Sequence, residues 1–468
     1  MSLPVEAIAA AWHDWGFTLV QAAGVLALLL ALGRWIGNLV GLHLLGIPEA
    51  LLAGVVGLTV APSGLVPLVP QPVIELWSEL PTALLTLVFA SLLLGKPLPN
   101  PAGLWKPLSA QVLMALTLAF GQYLVAGLAV LFLLQPWLGA NPLMAVIIEV
   151  AYEGGHGSAA AMGPIYADLG FPGGEALGLA MSTVGLLAAT VVGGLVVVLG
   201  RSRRWLRADG LAISAPAAAA ATDLTVEGPL PPDPEPRAGG GVEPSKLVRW
   251  AVNLALAGVA VLVGVLLWEA LRWLAELVGG GFRTVIDALP VFPLALAGSL
   301  LVRLVLEKTD KGSWTSAPIQ TTVSTLAADL LIAAATACLD LSLLRQDWLP
   351  LSVLAVVGLV WNLGVLLLLA PRILPSPWFE RGIIEFGQGT GVAASGLLLL
   401  RMADPNDESD ALPAFSIKQL ILQPLIAGGV ITVAAPLAVM QFGLATWTGL
   451  CLALVLLWIG LGIWLARR

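Results

Sequence analysis

The sequence predicts an all-α polytopic membrane protein: two inverted five-span repeats, each with a re-entrant hairpin, plus an extra C-terminal span. Three observations carry this expectation. Of 468 residues, 58% are hydrophobic and only 11% charged, against about 25% charged in a soluble domain. Apolar runs of spanning length recur along the whole chain. Two glycine-rich segments with a shared pattern sit at corresponding places in the two halves.

A spanning helix needs ~20 mostly apolar residues. Eleven candidates meet this, at roughly 17–40, 44–61, 80–95, 109–135, 175–200, 247–278, 285–306, 320–339, 349–370, 416–440 and 443–465. Pro48, Pro81, Pro290 and Pro293 fall near segment starts, where a missing N–H matters least. Trp12, Trp15, Trp105, Trp137, Trp348 and Trp378 cluster near segment ends, as interfacial belts do. The first sixteen residues hold no Lys or Arg. A secretory signal needs a positive n-region, so the N-terminus is read as retained.

Residues 201–249 form the one long polar stretch. It opens with Arg201, Arg203, Arg204 and Arg207 and turns Ala/Pro/Gly-rich. It is too poor in apolar surface to fold and reads as a flexible cytoplasmic linker. The predicted organisation is therefore a first repeat over 1–200, the linker at 201–249, a second repeat over 250–440, and a last helix at 441–468. Placing the linker in the cytoplasm puts the N-terminus outside and the C-terminus inside. It also puts Arg303, Lys308, Lys311, Arg372, Arg381, Arg401, Lys418, Arg467 and Arg468 inside, and only Arg272, Arg283 and Arg345 outside. This satisfies the positive-inside rule and suits a multi-pass protein of the plasma (inner) membrane.

Two segments do not read as ordinary spans. The first hairpin is placed at about 141–173 and the second at about 376–404. Each has a glycine-rich centre with a carboxylate, too broken for one helix and too apolar for a free loop. Irregular backbone at membrane depth survives only where protein or a water-filled cavity satisfies it. Glu153, Gly155, His156, Gly157 and Ser158 align with Glu385, Gly387, Gln388, Gly389 and Thr390 at a constant offset of 232, giving E-x-G-[HQ]-G-[ST]. Each centre follows four spans and precedes a fifth, and the two enter from opposite sides. That is the inverted-repeat plan of many secondary transporters.

The residue types suit a carrier of a small anion moved with a cation. Glycines allow close approach and positive φ. Half-helix N-termini offer N–H donors to a carboxylate. Exposed carbonyls with Glu153, Ser158, Asp329, Glu385 and Thr390 are oxygen ligands of the kind a sodium ion takes. Candidate substrate contacts are Gly154, Gly155, His156, Gly157, Ser158, Gly387, Gln388, Gly389, Thr390, Gly391, Thr183, Gln423 and Arg401.

Plainer readings stand beside these. The glycines serve helix packing, His156 is a structural hydrogen-bonding residue or a proton carrier, and Glu153 and Glu385 pair structurally. Asp329, a lone acid inside a span, is a cation or proton site, or an internally paired acid. Thr183 and the Gln423–Pro424 break line the site or merely kink their spans. Arg401 is a cytoplasmic interfacial anchor or a substrate clamp. Glu149 sits one turn before Glu153, nearer the outer interface.

Three His and two Cys give no zinc cluster or disulfide framework. No cofactor and no nucleic-acid partner are expected at a net charge of −7. Enzyme chemistry by His156 and Ser158 is disfavoured, because the second copy carries Gln388 where a base would be required.

At these motifs the sequence resembles the sodium/glutamate symporter family. The likeness rests on GGHGSAAAMGP (154–164), ALGLAMSTVGLLAATVVGG (176–194), LVFASLLLGKPLP (87–99) and LWKPLSAQVLMALTLAFGQ (104–122). GQGTGVAASGLLLLRMADP (387–405) is similar to the pattern of one subgroup. The resemblance implies a homodimer in the lipid bilayer that uses sodium as coupling ion and glutamate as substrate. It also implies an elevator-type movement, with Gly154–Ser158 and Gly387–Gly391 as opposed hairpin tips. Aspartate, another dicarboxylate, a citrate-type hydroxycarboxylate and cation/proton antiport stay open.

Overall fold

The computed structural model describes residues 5–40, 49–62, 64–94, 105–206, 246–279, 283, 286, 289, 291–309, 311–338, 347–404, 409, 411–423 and 425–467. All regular structure among them is helical. Among the described residues eight helices are long and apolar enough to cross a bilayer. Large side chains such as Leu195, Leu262, Val360 and Leu456 lie on the outside of the bundle, each more than half exposed. In water this would be costly; against lipid tails it is not. The chain is a multi-pass membrane protein.

The helices run α1 (Val5–Val40), α2 (Glu49–Val60), α3 (Gln71–Ser91) and α4 (Trp105–Ala129). The first irregular region holds α5 (Ile147–Tyr152), α6 (Gly155–Ala161) and α7 (Gly163–Asp168), followed by α8 (Gly174–Ser202). The second half holds α9 (Lys246–Val278), α10 (Phe292–Lys308), α11 (Ala317–Ala337), α12 (Trp348–Gly364) and α13 (Trp378–Ala403). It closes with α14 (Ala411–Leu422), α15 (Val430–Phe442) and α16 (Leu444–Ala466).

Packing sorts these helices into two groups. α1, α2 and α3 pack with α9, α10 and α11. The contacts are close because small residues face one another. A Cβ on Gly264 would sit 2.7 Å from the Ala295 backbone, and one on Gly33 would sit 2.8 Å from Ala53. The second group is α4, α5–α8 and α12–α16, with α16 laid along α4 and α13 along α8. α6 touches α3 and α11 and so bridges the groups.

α4 and α12 share a detail. Each widens into a π turn, Val130–Leu134 and Val365–Leu369, before a last α turn that carries Pro136 or Pro371. Each proline lacks the N–H that would bond four residues back, to Phe132 or Leu367, and a wider turn accommodates the loss.

Several spans differ from expectation. Pro81 lies inside α3 rather than at its start, since the helix begins at Gln71 with Pro72 in its first turn. The segment 416–440 is not one span. α14 ends at Leu422 and α15 starts at Val430, with Ala427 (φ 58) and Gly428 (φ 93) left-handed between them. Residues 41–48 and 207–245, including most of the expected linker, lie outside the described residues.

Candidate functional site

Three interruptions of helix converge at the middle of the second group. The first follows α5. The N–H groups of Glu153 and Gly154 both return to the Glu149 carbonyl, at 3.1 and 3.2 Å, and Gly155 then turns left-handed (φ 69). Only glycine adopts that conformation without penalty. The space is also closed, because a Cβ on Gly155 would overlap Cγ1 of Val392.

Val392 belongs to the second interruption. Within α13 the chain leaves helical geometry at Gly391 (φ −156, ψ 43) and Val392 (φ 70, ψ 167). The arms 378–390 and 393–403 fold back on each other. A Cβ on Gly387 would sit 2.5 Å from the Gly396 Cα, and one on Gly396 would overlap the Ile384 carbonyl. Glycine at both positions allows that approach. A β-branched residue in the left-handed region is a real outlier, and such strain costs ~1–3 kcal/mol. Surrounding hydrogen bonds hold it. Asn362 Nδ2 donates to the Gly389 carbonyl at 2.6 Å and to Thr390 Oγ1 at 3.0 Å, and Gln122 Nε2 donates to the same carbonyl. Carbonyls in the last turn of an arm lack helical partners, and these two amides supply them.

The third interruption is 423–429, between α14 and α15. Glu149 anchors it. Its Oε1 accepts from the Ala427 N–H at 3.1 Å and from Thr432 Oγ1 at 3.0 Å, while Tyr123 donates to Oε2. Glu149 is fully buried. A Cβ on Gly428 would overlap Oγ of Ser158, which ties this turn to the first interruption.

A cavity of about 210 Å³ lies where the interruptions meet and where the two helix groups abut. Gly154–Ser158, Ser182, Gln388, Val392, Gln419 and Gln423 line it on one side; Leu85 and Phe89 of α3 and Leu331 of α11 line it on the other. His156 Nε2 lies 3.0 Å from Thr183 Oγ1, whose hydroxyl donates to the Leu179 carbonyl at 3.1 Å. The tautomer of the imidazole sets which of the two donates across this contact. Glu153 accepts from Gln388 Nε2 at 3.2 Å through Oε1, and its Oε2 is buried without a protein hydrogen-bond partner. A buried polar atom of this kind calls for a ligand or for a proton.

The structure brings together most of the residues singled out from sequence. Glu153, Gly154, Gly155, His156, Gly157, Ser158, Gln388 and Gln423 line the cavity, and Thr183 touches it through His156. Gly389 and Thr390 stand behind the second reversal, pinned by Asn362. Gly387 and Gly389 sit inside the first arm rather than at its tip, and Gly391 with Val392 makes the reversal itself. Glu385 also lies within that arm, one turn behind Gly389. Arg401 ends the second arm about 15 Å along the helix from Gly391 and is not among the cavity residues. Asp329 points to α1, where its Oδ2 lies 3.3 Å from Arg34 Nη2. It is the internally paired acid of the two readings. Among the described residues no cluster of three His, Cys, Asp or Glu is placed to hold a metal ion.

Lys418 differs most from expectation. Counted among cytoplasmic positives from sequence, it is 0% exposed inside α14, with Nζ 2.9 Å from Glu385 Oε2. Its lone positive charge in ALPAFSIKQLIL was the available signal. Tyr123, Gln122 and Asn362 carry no such signal, because neutral polar residues in spans leave no mark on hydropathy.

The matched segment contains α3, α4, the whole first interruption and α8. Residues 16–206 match the sodium/glutamate symporter family. That is a family of transporters, and the match covers the GGHGS centre and the Ser182–Thr183 stretch of α8. No curated protein matches the chain. Among solved structures the chain is similar to the sodium proton antiporter MjNhaP1 from Methanocaldococcus jannaschii at pH 8. Identity is 14% and the TM-score 0.32, over 92% of this chain and 99% of that one.

Proposed function

We propose that this protein is a secondary active transporter that couples sodium to the movement of glutamate or a closely related amino acid or dicarboxylate. The observation that carries the reading is the cavity itself. It is lined by reversals of helix and by Glu153, a carboxylate with one buried oxygen that has no protein partner, and it is set between two groups of helices. Irregular backbone lining a buried cavity in a membrane protein is how carriers bind ions and small polar solutes. The symporter family match over residues 16–206 supports sodium as the ion and glutamate as the substrate class.

The mechanism that fits is elevator-type alternating access. Each group draws on both halves of the sequence. The first takes spans one to three of each half, and the second takes the fourth span, the interrupted segment and the fifth of each half. The E-x-G-[HQ]-G-[ST] copies and the paired π turns before Pro136 and Pro371 support an internal repeat. In this reading α5–α6 and the two arms of α13 are re-entrant hairpins that travel with the cargo, and α3 and α11 are the wall they slide along. The cation sits at Glu153, with Ser158 close by, and the substrate meets His156, Thr183 and the reversal at Gly155. Arg401 acts as a cytoplasmic interfacial anchor. The distribution of Lys and Arg supports a cytoplasmic C-terminus and 201–249 linker, and in this reading the working unit is a homodimer in the inner membrane.

The test is uptake of radiolabelled L-glutamate into proteoliposomes holding the purified protein, with and without an inward sodium gradient. Accumulation that needs the gradient supports the reading. A correctly inserted protein that accumulates no glutamate, yet takes up citrate or exchanges cations for protons, overturns the assignment of substrate.

A further inference from the structure

The two repeat-related carboxylates, Glu153 and Glu385, have different surroundings. Glu153 lines the cavity and has one buried oxygen, Oε2, free of protein partners. Glu385 is 1% exposed and also has one oxygen, Oε1, without a hydrogen-bond partner, but its Oε2 faces the ammonium of Lys418. That ammonium is held as a small cation would be. Nζ lies 2.9 Å from Glu385 Oε2, 2.9 Å from Gln388 Oε1 and 2.9 Å from Gln419 Oε1, and 4.4 Å from the Phe415 ring centre. Three oxygens at one distance with one formal negative charge form a monovalent-cation cage. An ammonium and an alkali cation make the same demands on such a cage, namely charge and oxygen donors.

We propose that Lys418 is a tethered cation. It permanently fills the second half's cation site and leaves Glu153 as the seat of the single mobile ion of this pair. The assignment of the mobile ion rests on the transporter reading; the cage does not. Gln388 joins the two sites, donating through Nε2 to Glu153 Oε1 at 3.2 Å while its Oε1 accepts from Lys418. Gln388 Nε2 also donates to Gln419 Oε1 at 2.8 Å, so both amides are fixed in one orientation by the ammonium. Lys418 thus sets the side chain that presents a donor to the mobile-ion carboxylate. A fixed cation in one half and an exchangeable one in the other lowers the ion stoichiometry by one. It also keeps the arms of α13 locked to α14 whatever the ion load.

The experiment is thermal unfolding of the purified full-length protein in detergent, with sodium, potassium or ammonium chloride exchanged against choline chloride at constant ionic strength. Lys418→Ala opens the cage. Its unfolding midpoint is expected to fall in choline chloride and to climb saturably with at least one of the small cations. The climb should persist in K418A/E153Q and vanish in K418A/E385Q. If K418A/E153Q is indifferent to all three cations, the proposal is overturned. Lys418→Gln guards against a variant that fails to fold, since it fills the volume without charge. It is expected to be less stable than wild type and restored towards it by Glu385→Gln. A K418Q protein as stable as wild type, or a K418Q/E385Q protein no better than K418Q alone, overturns the proposal too. In sodium-driven uptake the Hill coefficient should rise from about 1 in wild type towards 2 in K418A, within the limit set by the number of sites. Absence of glutamate uptake in wild type would remove the transporter reading and leave the cation rescue of K418A/E153Q as it stands.

Discussion

Gly155 is the sharpest test of how the two reversals meet. Gly155→Ala imposes two separable costs. An alanine held at φ 69 pays ~1–2 kcal/mol for left-handed backbone. Its methyl also falls well inside contact distance of Val392 Cγ1, and overpacking of that kind costs ~1–3 kcal/mol. The sum is ~2–5 kcal/mol, and the strain lies at the cavity wall. Val392→Ala removes the opposing methyl, so the double variant should recover the steric share of ~1–3 kcal/mol but not the backbone share. Gly157 serves as the internal control. A Cβ there meets nothing nearer than Leu85 Cδ1 at 3.5 Å, and its φ is not positive. Gly157→Ala should therefore fold as well as wild type. The measurement is a double-mutant cycle on the unfolding midpoint, run alongside uptake in proteoliposomes. If G155A equals wild type in both, or if G155A and V392A simply add, the two reversals do not touch as described.

Other expectations follow from single contacts. Asn362→Ala strips two donors from the second reversal; it should cost ~1–3 kcal/mol and weaken apparent substrate affinity, and unchanged uptake kinetics would detach that reversal from the site. Tyr123→Phe removes one of three donors to the buried Glu149, with an expected loss of ~1–3 kcal/mol seen as a lower unfolding midpoint; no change in midpoint would count against Glu149 as the anchor of 423–429. Asp329→Asn breaks the pair with Arg34, so the unfolding midpoint should fall while the sodium dependence of uptake should not move. A collapsed sodium response in that variant would return Asp329 to the ion path.

Much of the site was legible because the signals are local. Glycine, proline and small polar residues break helix where they stand, so E-x-G-[HQ]-G-[ST] marked both interruptions without any knowledge of packing. The second reversal was misplaced by a few residues. The glycines at Gly387 and Gly389 serve close arm packing and hydrogen bonding, while the turn falls on Gly391 and on Val392, a residue no propensity would choose. The Gln423–Pro424 break reads from sequence as an interruption within one span that lines the site or kinks the helix, because the apolar content of 416–440 hides a loop whose polar groups are satisfied by a distant carboxylate.

The sequence alone determined the solvent, the approximate spans and the neighbourhoods of the two glycine-rich interruptions, since hydropathy and backbone propensity are properties of short stretches of chain. Tertiary structure alone decided what each charge is for. Glu149, Glu153 and Glu385 look alike in sequence. One holds a loop through Tyr123, Ala427 and Thr432, one reaches the cavity, and one neutralises Lys418. Asp329 is matched to Arg34, 295 residues away. A buried charge is stable only with its partner, and partnership depends on which helix faces pack together, which no local pattern encodes.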